Sequence, residues 1–140
     1  RRALNDGMPC LAECGGFMYL HDEMEAMDGN SYHMAGVISG RAYRTQRLNR
    51  FGYVTLTQKK EVLRMNDMGG IPAHEFHYFD SENCGDDFDA KKPASHRKWN
   101  CIHGTDTMMA GFPHLYFYGN PKVPEAFLRK CSQYGRQDAR

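Results

Sequence analysis

The run PCLAECGGFMYL (9–20) limits what this chain can fold into more than any other segment. Pro9 to Glu13 is short and mostly apolar, the pattern of a buried strand. Cys14 follows, Gly15 and Gly16 turn the chain, and a periodic apolar stretch begins at Phe17. A strand that turns this sharply into a helix leaves its corner residue in strained φ/ψ, with the side chain clear of the sheet. Such a corner needs small neighbours, here Ala12 two residues before Cys14 and Gly16 two after. Cys14 is therefore a candidate nucleophile. Gly15 offers a bare amide to an oxyanion, with Gly16 beside it. The helix N-terminus favours a thiolate and is expected to lower the pKa of Cys14. The competing reading of a lone cysteine before a helix is a small buried hydrophobe.

The remaining pattern is mixed α/β, with more strands than helices. Upstream, RRALNDG (1–7) reads as the tail of a helix with Gly7 as its C-cap, so the chain is expected to be a fragment or one domain of a longer protein. Phe17, Leu20, Met24 and Met27 recur at helical spacing and predict a helix over 17–27, stopped by Asp28-Gly29-Asn30. SYHMAGVI (31–38) reads as a strand ended by Ser39-Gly40, and FGYVTLTQ (51–58) as an alternating strand. Residues 59–70 read as a hairpin or irregular segment, 72–79 as a strand, and 80–97 as polar loop. Short strands are expected at 98–102 and 106–112, and a last helix from about Val123 to Tyr134.

Bulk composition excludes several classes. A chain of 140 residues supports one domain. Charged residues make up 25% and the net charge is +1, so no basic surplus points to nucleic acid. No apolar run approaches the roughly 20 residues of a membrane span, and no signal peptide is visible. The five cysteines are odd in number and unevenly spaced. That argues against a disulfide framework and for a reducing cytoplasm.

A cysteine nucleophile needs a base from elsewhere in the chain. The histidines are 21, 33, 74, 77, 96, 103 and 114. His114 lies at a strand end or loop edge, ahead of the last helix. His74 and His77, three apart in one strand, face opposite ways. Glu75 between them is read as opposite both. A zinc-type site from His74, His77, Cys84 and Cys101 is a weaker reading, because the histidines split faces and no Cys-x-x-Cys accompanies them. Arg41, Arg44, Arg47 and Arg50 form a solvated face or contact acidic partners; alternation keeps them from converging.

Four segments, ECGGFMYL (13–20), RFGY (50–53), HEFHYF (74–79) and PHLYFYGNP (113–121), follow the order found in cobyrinic acid a,c-diamide synthases. Over nearly its whole length the chain resembles their C-terminal glutaminase domain. The resemblance implies a class I glutamine amidotransferase-like (flavodoxin-like) sheet with flanking helices, its N-terminal strands expected outside residues 1–140. It implies Cys14 as nucleophile and His114 as base, and places Gly15 and Gly16 at the oxyanion or the glutamine. It names Glu75 and His77 as supporting candidates. The implied partners are glutamine and, through an upstream ATP-dependent synthetase domain, a corrin whose a and c carboxylates are amidated. ATP and magnesium belong to that domain, and this one needs no cofactor. Residues 1–140 contain no G-x-x-x-x-G-K-[ST] phosphate loop.

The chain departs from the pattern at Tyr116. Many class I amidotransferases carry a glutamate two residues after the catalytic histidine, and tyrosine cannot replace it, so the third triad member stays open. Alone, residues 1–140 are expected to hydrolyse little glutamine. Alternatives are a non-catalytic docking or binding domain and a glutaminase serving a nickel-tetrapyrrole a,c-diamide synthase.

Overall fold

The computed structural model describes residues 1–138, with side chains through 136. The first half contains α1 (Arg2–Asn5), β1 (Cys10–Glu13), α2 (Gly15–Tyr19), β2 (His21–Glu25), β3 (Ser31–His33), β4 (Ile38–Arg44) and β5 (Arg50–Gln58). The second contains β6 (Ile71–His77), β7 (Phe79–Ser81), β8 (Phe88–Lys91), β9 (Lys98–Cys101), β10 (His103–Gly104), β11 (Met108–Gly111), β12 (His114–Leu115), a 3-10 turn (Phe117–Gly119) and α3 (Lys122–Asp138). The fold is mixed α/β, built of several small sheets with few helices.

Three sheets form. One has the order β1-β11-β10, the second β12-β6-β5-β8-β9, and the third β3-β2-β4-β7. β1 runs parallel to β11, with Glu13 opposite Gly111. In the five-stranded sheet Val54 opposes Ala73 and Leu56 opposes Ile71, so alternation turns these apolar residues to one face. That face, with Phe88 and Ala90 of β8, packs on Val62, Leu63, Met68, Val123 and Ala126. Burying a side chain such as Leu56 or Phe88 contributes about 2 kcal/mol. A second core gathers Ala12, Phe17, Leu20, Ile38, Ala42 and Phe112 around α2. Asn120 precedes α3: its side chain accepts from the Lys122 amide and donates to the Met68 and Gly70 carbonyls.

The expected helix over 17–27 is not one helix. α2 stops at Tyr19, and His21–Glu25 is β2. The backbone of Tyr19 to His21 is taken by a neighbour: Ala35, Val37 and Gly36 donate to the Tyr19, Leu20 and His21 carbonyls. The apolar stripe ends there too, since Met27 is exposed. The strand expected over 31–38 covers only Ser31–His33. β4 instead runs through the expected stop at Ser39-Gly40. Gly40, at φ +97°, sits where the β2–β4 register shifts, so it marks a bulge rather than an end. The expected loop over 80–97 contains β8, because Phe88 and Ala90 are buried. The strands at 51–58, 72–79, 98–102 and 106–112 and the last helix are present within a few residues, and α3 reaches Asp138. Gly7, at φ +88°, follows the end of α1 as expected.

Candidate active site

The parallel pairing of β1 and β11 builds the site. Both strands end on the same side, where β1 delivers Cys14 and β11 runs on through Phe112 and Pro113 to His114. The Cys14 amide donates to the Gly111 carbonyl at 2.9 Å, which ties the two ends together. Cys14 adopts φ 45° and ψ −103°, left-handed backbone that a side chain adopts only under constraint. The strained corner expected from the sequence is present. The expected crowding at Gly16 is weaker: a Cβ there would meet Ala12 Cβ at 3.6 Å, an ordinary contact. A Cβ at Gly15 would meet nothing within 4 Å, so open space lies above the first turn of α2.

The expected fall in the Cys14 pKa is overturned. Burial pushes the thiol up, and the Glu13 and Glu75 carboxylates push it further; the Gly15 amide alone opposes them. α2 has five residues, too short for a strong dipole, and Cys14 is partly buried. At neutral pH Cys14 therefore keeps its proton on sulfur.

His114 opens β12, directly opposite His74 of β6. Its ring is about half exposed, and Nδ1 lies 3.4 Å from Glu13 Oε2. The other carboxylate oxygen, Oε1, accepts the Leu115 amide at 3.1 Å. Glu13 thus touches the ring of His114 and the backbone just beyond it, while its own chain neighbour is Cys14. A groove of about 620 Å³ passes His114, lined by Tyr53, His74, Pro93, His114 and Tyr116; Cys14 does not line it. Tyr116 is 59% exposed and lines the same groove as His114.

Glu75 and His77 lie elsewhere. They share one face of β6, so the reading that set Glu75 opposite His77 was mistaken: residues two apart on a strand point the same way. Glu75 Oε2 is 3.0 Å from His77 Nε2, and both side chains are buried. Trp99 Nε1 donates to Glu75 Oε1 at 3.2 Å, and His77 Nδ1 faces the Phe79 carbonyl at 2.7 Å. The His77 ring stacks on Phe112, centroids 4.0 Å apart, two residues before His114. The pair therefore supports the segment that carries His114 without touching it. His74 and His77 face opposite ways, and among the described residues no group of three or more His, Cys, Asp or Glu is placed to hold a metal ion.

The arginines separate as alternation requires. Arg41 pairs with Glu82, Arg44 donates to the Met27 carbonyl, and Arg50 lies over the Trp99 ring. The residue that sequence reasoning missed is Glu13. No local pattern singles it out, because its contacts on β12 lie about a hundred residues away in sequence.

Residues 1–121 match the family of CobB/CobQ-like glutamine amidotransferase domains. The chain is 33% identical over 139 residues to the cobyrinate a,c-diamide synthase of Caldanaerobacter subterraneus subsp. tengcongensis, covering 98% of this chain and 31% of the relative. It is 37% identical over 130 residues to that of Fusobacterium nucleatum, covering 89% and 28%. With the enzyme of that name from Picrophilus torridus it shares 36% over 129 residues, covering 91% and 27%. The chain spans less than a third of the length of these relatives. Among the described residues, no helix is long and apolar enough to cross a membrane.

Proposed function

Because the chain belongs to the CobB/CobQ-like glutamine amidotransferase domains, we propose that it is the glutaminase portion of an ATP-dependent amidoligase, releasing ammonia from glutamine at Cys14. The observation that carries this reading is the strained Cys14 corner at the end of β1, beside the β11 end that leads to His114. The thiol proton passes to His114 as the sulfur attacks the side-chain amide carbon of glutamine. Negative charge develops on the amide oxygen, and the Gly15 and Gly16 amides at the start of α2 are the donors assigned to receive it in this reading. The C–N bond then breaks, and His114 returns its proton to the departing nitrogen, which leaves as ammonia. Water, deprotonated by His114, hydrolyses the thioester to glutamate and restores the thiol.

The acceptor follows from the relatives, whose name is cobyrinate a,c-diamide synthase. The ammonia is used to amidate the a and c carboxylates of a corrin, in a synthetase reaction that consumes ATP with magnesium. Five free cysteines suit the reducing cytoplasm. The test is covalent capture with 6-diazo-5-oxo-L-norleucine, a glutamine analogue that alkylates an amidotransferase nucleophile. Intact-mass analysis should find one adduct, mapped to Cys14 and absent from Cys14→Ser. In the full-length protein, a Cys14 that stays unmodified at saturating analogue overturns the glutaminase reading in favour of a docking domain.

A further inference from the structure

We infer that Glu13 is the positioning carboxylate of His114, so that the residue before the nucleophile orients the base that activates it. The inference rests on the reading of Cys14 and His114 as nucleophile and base. A base of this kind needs one ring nitrogen held by an acceptor, which fixes the tautomer and leaves the other nitrogen's lone pair toward the nucleophile. His114 is paired with His74 of β6, shares its groove with Tyr53 of β5 and with Tyr116 further along its own segment, and lies 3.4 Å from Glu13 of β1. Glu13 is the carboxylate among them. Glu75 is committed to His77 and Trp99 on the opposite face of β6.

The two oxygens of Glu13 do separate work. Oε1 accepts the Leu115 amide at 3.1 Å, and Oε2 stands 3.4 Å from His114 Nδ1. The carboxylate therefore holds the backbone of β12 with one oxygen and places the other at ion-pair distance from the imidazole, where it can bias the ring's rotation relative to its strand. The Nδ1 contact is an ion-pair distance rather than a formed hydrogen bond, and it shortens as the ring gains charge. Nδ1–H donating to Glu13 leaves Nε2 to take the Cys14 proton.

Glu13→Gln separates this role from a merely structural one. The glutamine oxygen still accepts the Leu115 amide, so β12 stays tied. The group left facing Nδ1 is then an NH₂ donor, which favours the Nε2–H tautomer and removes the lone pair that the nucleophile needs. Two readouts follow. Ring ¹⁵N shifts of His114, with the ring neutral, should report Nδ1–H in the wild type and Nε2–H in Glu13→Gln. The maximal rate of Cys14 labelling by 6-diazo-5-oxo-L-norleucine should fall by about tenfold to a hundredfold, with the half-saturating concentration unchanged. Thermal unfolding of Glu13→Gln should match the wild type, whereas Glu13→Ala, which loses both contacts, melts lower. An unchanged tautomer or an unchanged maximal rate in Glu13→Gln overturns the inference. If the wild type itself is not labelled, the glutaminase reading fails, and the tautomer comparison alone decides the role of Glu13.

Discussion

Cys14 sits between opposed influences, and their balance decides how it reacts. The Gly15 amide favours the thiolate, but burial and the Glu13 and Glu75 charges outweigh it and hold the proton on sulfur. Alkylation of Cys14 by iodoacetamide should therefore be slow at pH 7 and rise with pH to a midpoint above that of an unperturbed thiol. The measurement is the rate of adduct formation from pH 6 to 10, and a midpoint below the unperturbed value contradicts it. Glu75 carries a second residue-level consequence. It is fully buried and is the shared partner of His77 and Trp99. Glu75→Ala strands both groups and should lower stability by about 3 kcal/mol, seen as a reduced urea midpoint. At this scale the sequence was readable where chemistry is local. The Cys14-Gly15-Gly16 corner declares itself within three residues. Glu13 did not, because its partner on β12 lies 102 residues away, and no pattern within β1 points to it.

At the scale of elements, the site depends on how closely β11 and its neighbours approach. Gly111 pairs with Glu13, and its carbonyl holds the Cys14 amide. A Cβ at Gly111 would stand 2.6 Å from Ile102 Cγ1 and 3.1 Å from its Cα, so the backbone must shift. Gly111→Ala should displace the end of β11, disturb the Cys14 corner, and cost both stability and labelling by the glutamine analogue. Thermal melts read together with the labelling rate check this. Element boundaries were legible where alternation was strict, as in β5, whose inward Val54 and Leu56 match Ala73 and Ile71. They were illegible where two kinds of structure share one apolar spacing. Phe17 and Leu20 belong to a single helical turn, and Met24 reaches the same core from a strand. Helical spacing across 17–27 could not separate these, because the pairing of β2 with β4 is a long-range fact.

Across the whole molecule, His21 joins elements that are remote in sequence. Its Nδ1 lies 3.0 Å from the Phe17 carbonyl and its Nε2 2.6 Å from Ser81 Oγ, linking α2 to β7 through a fully buried ring. Burial lowers its pKa below the usual 6.5, so the folded state resists a proton that the unfolded chain accepts. The sign follows: this contribution is complete above about pH 6.5 and declines as pH falls toward the lowered folded value. The melting temperature should drop between pH 7 and pH 5, and His21→Gln should show a shallower drop. An equal slope in the variant would remove His21 as a cause. The fold class was legible from the many short strands between turn signals. The division into three sheets was not, since it depends on which edges meet.

The reluctance of Cys14 to ionise also bears on how long such a protein lasts. Peroxide and disulfides attack the thiolate, so a thiol kept protonated at rest oxidises slowly. If Cys14 is the nucleophile proposed above, the same burial that leaves its activation to His114 works as a preservative, sparing it damage in the intervals when there is nothing for it to do.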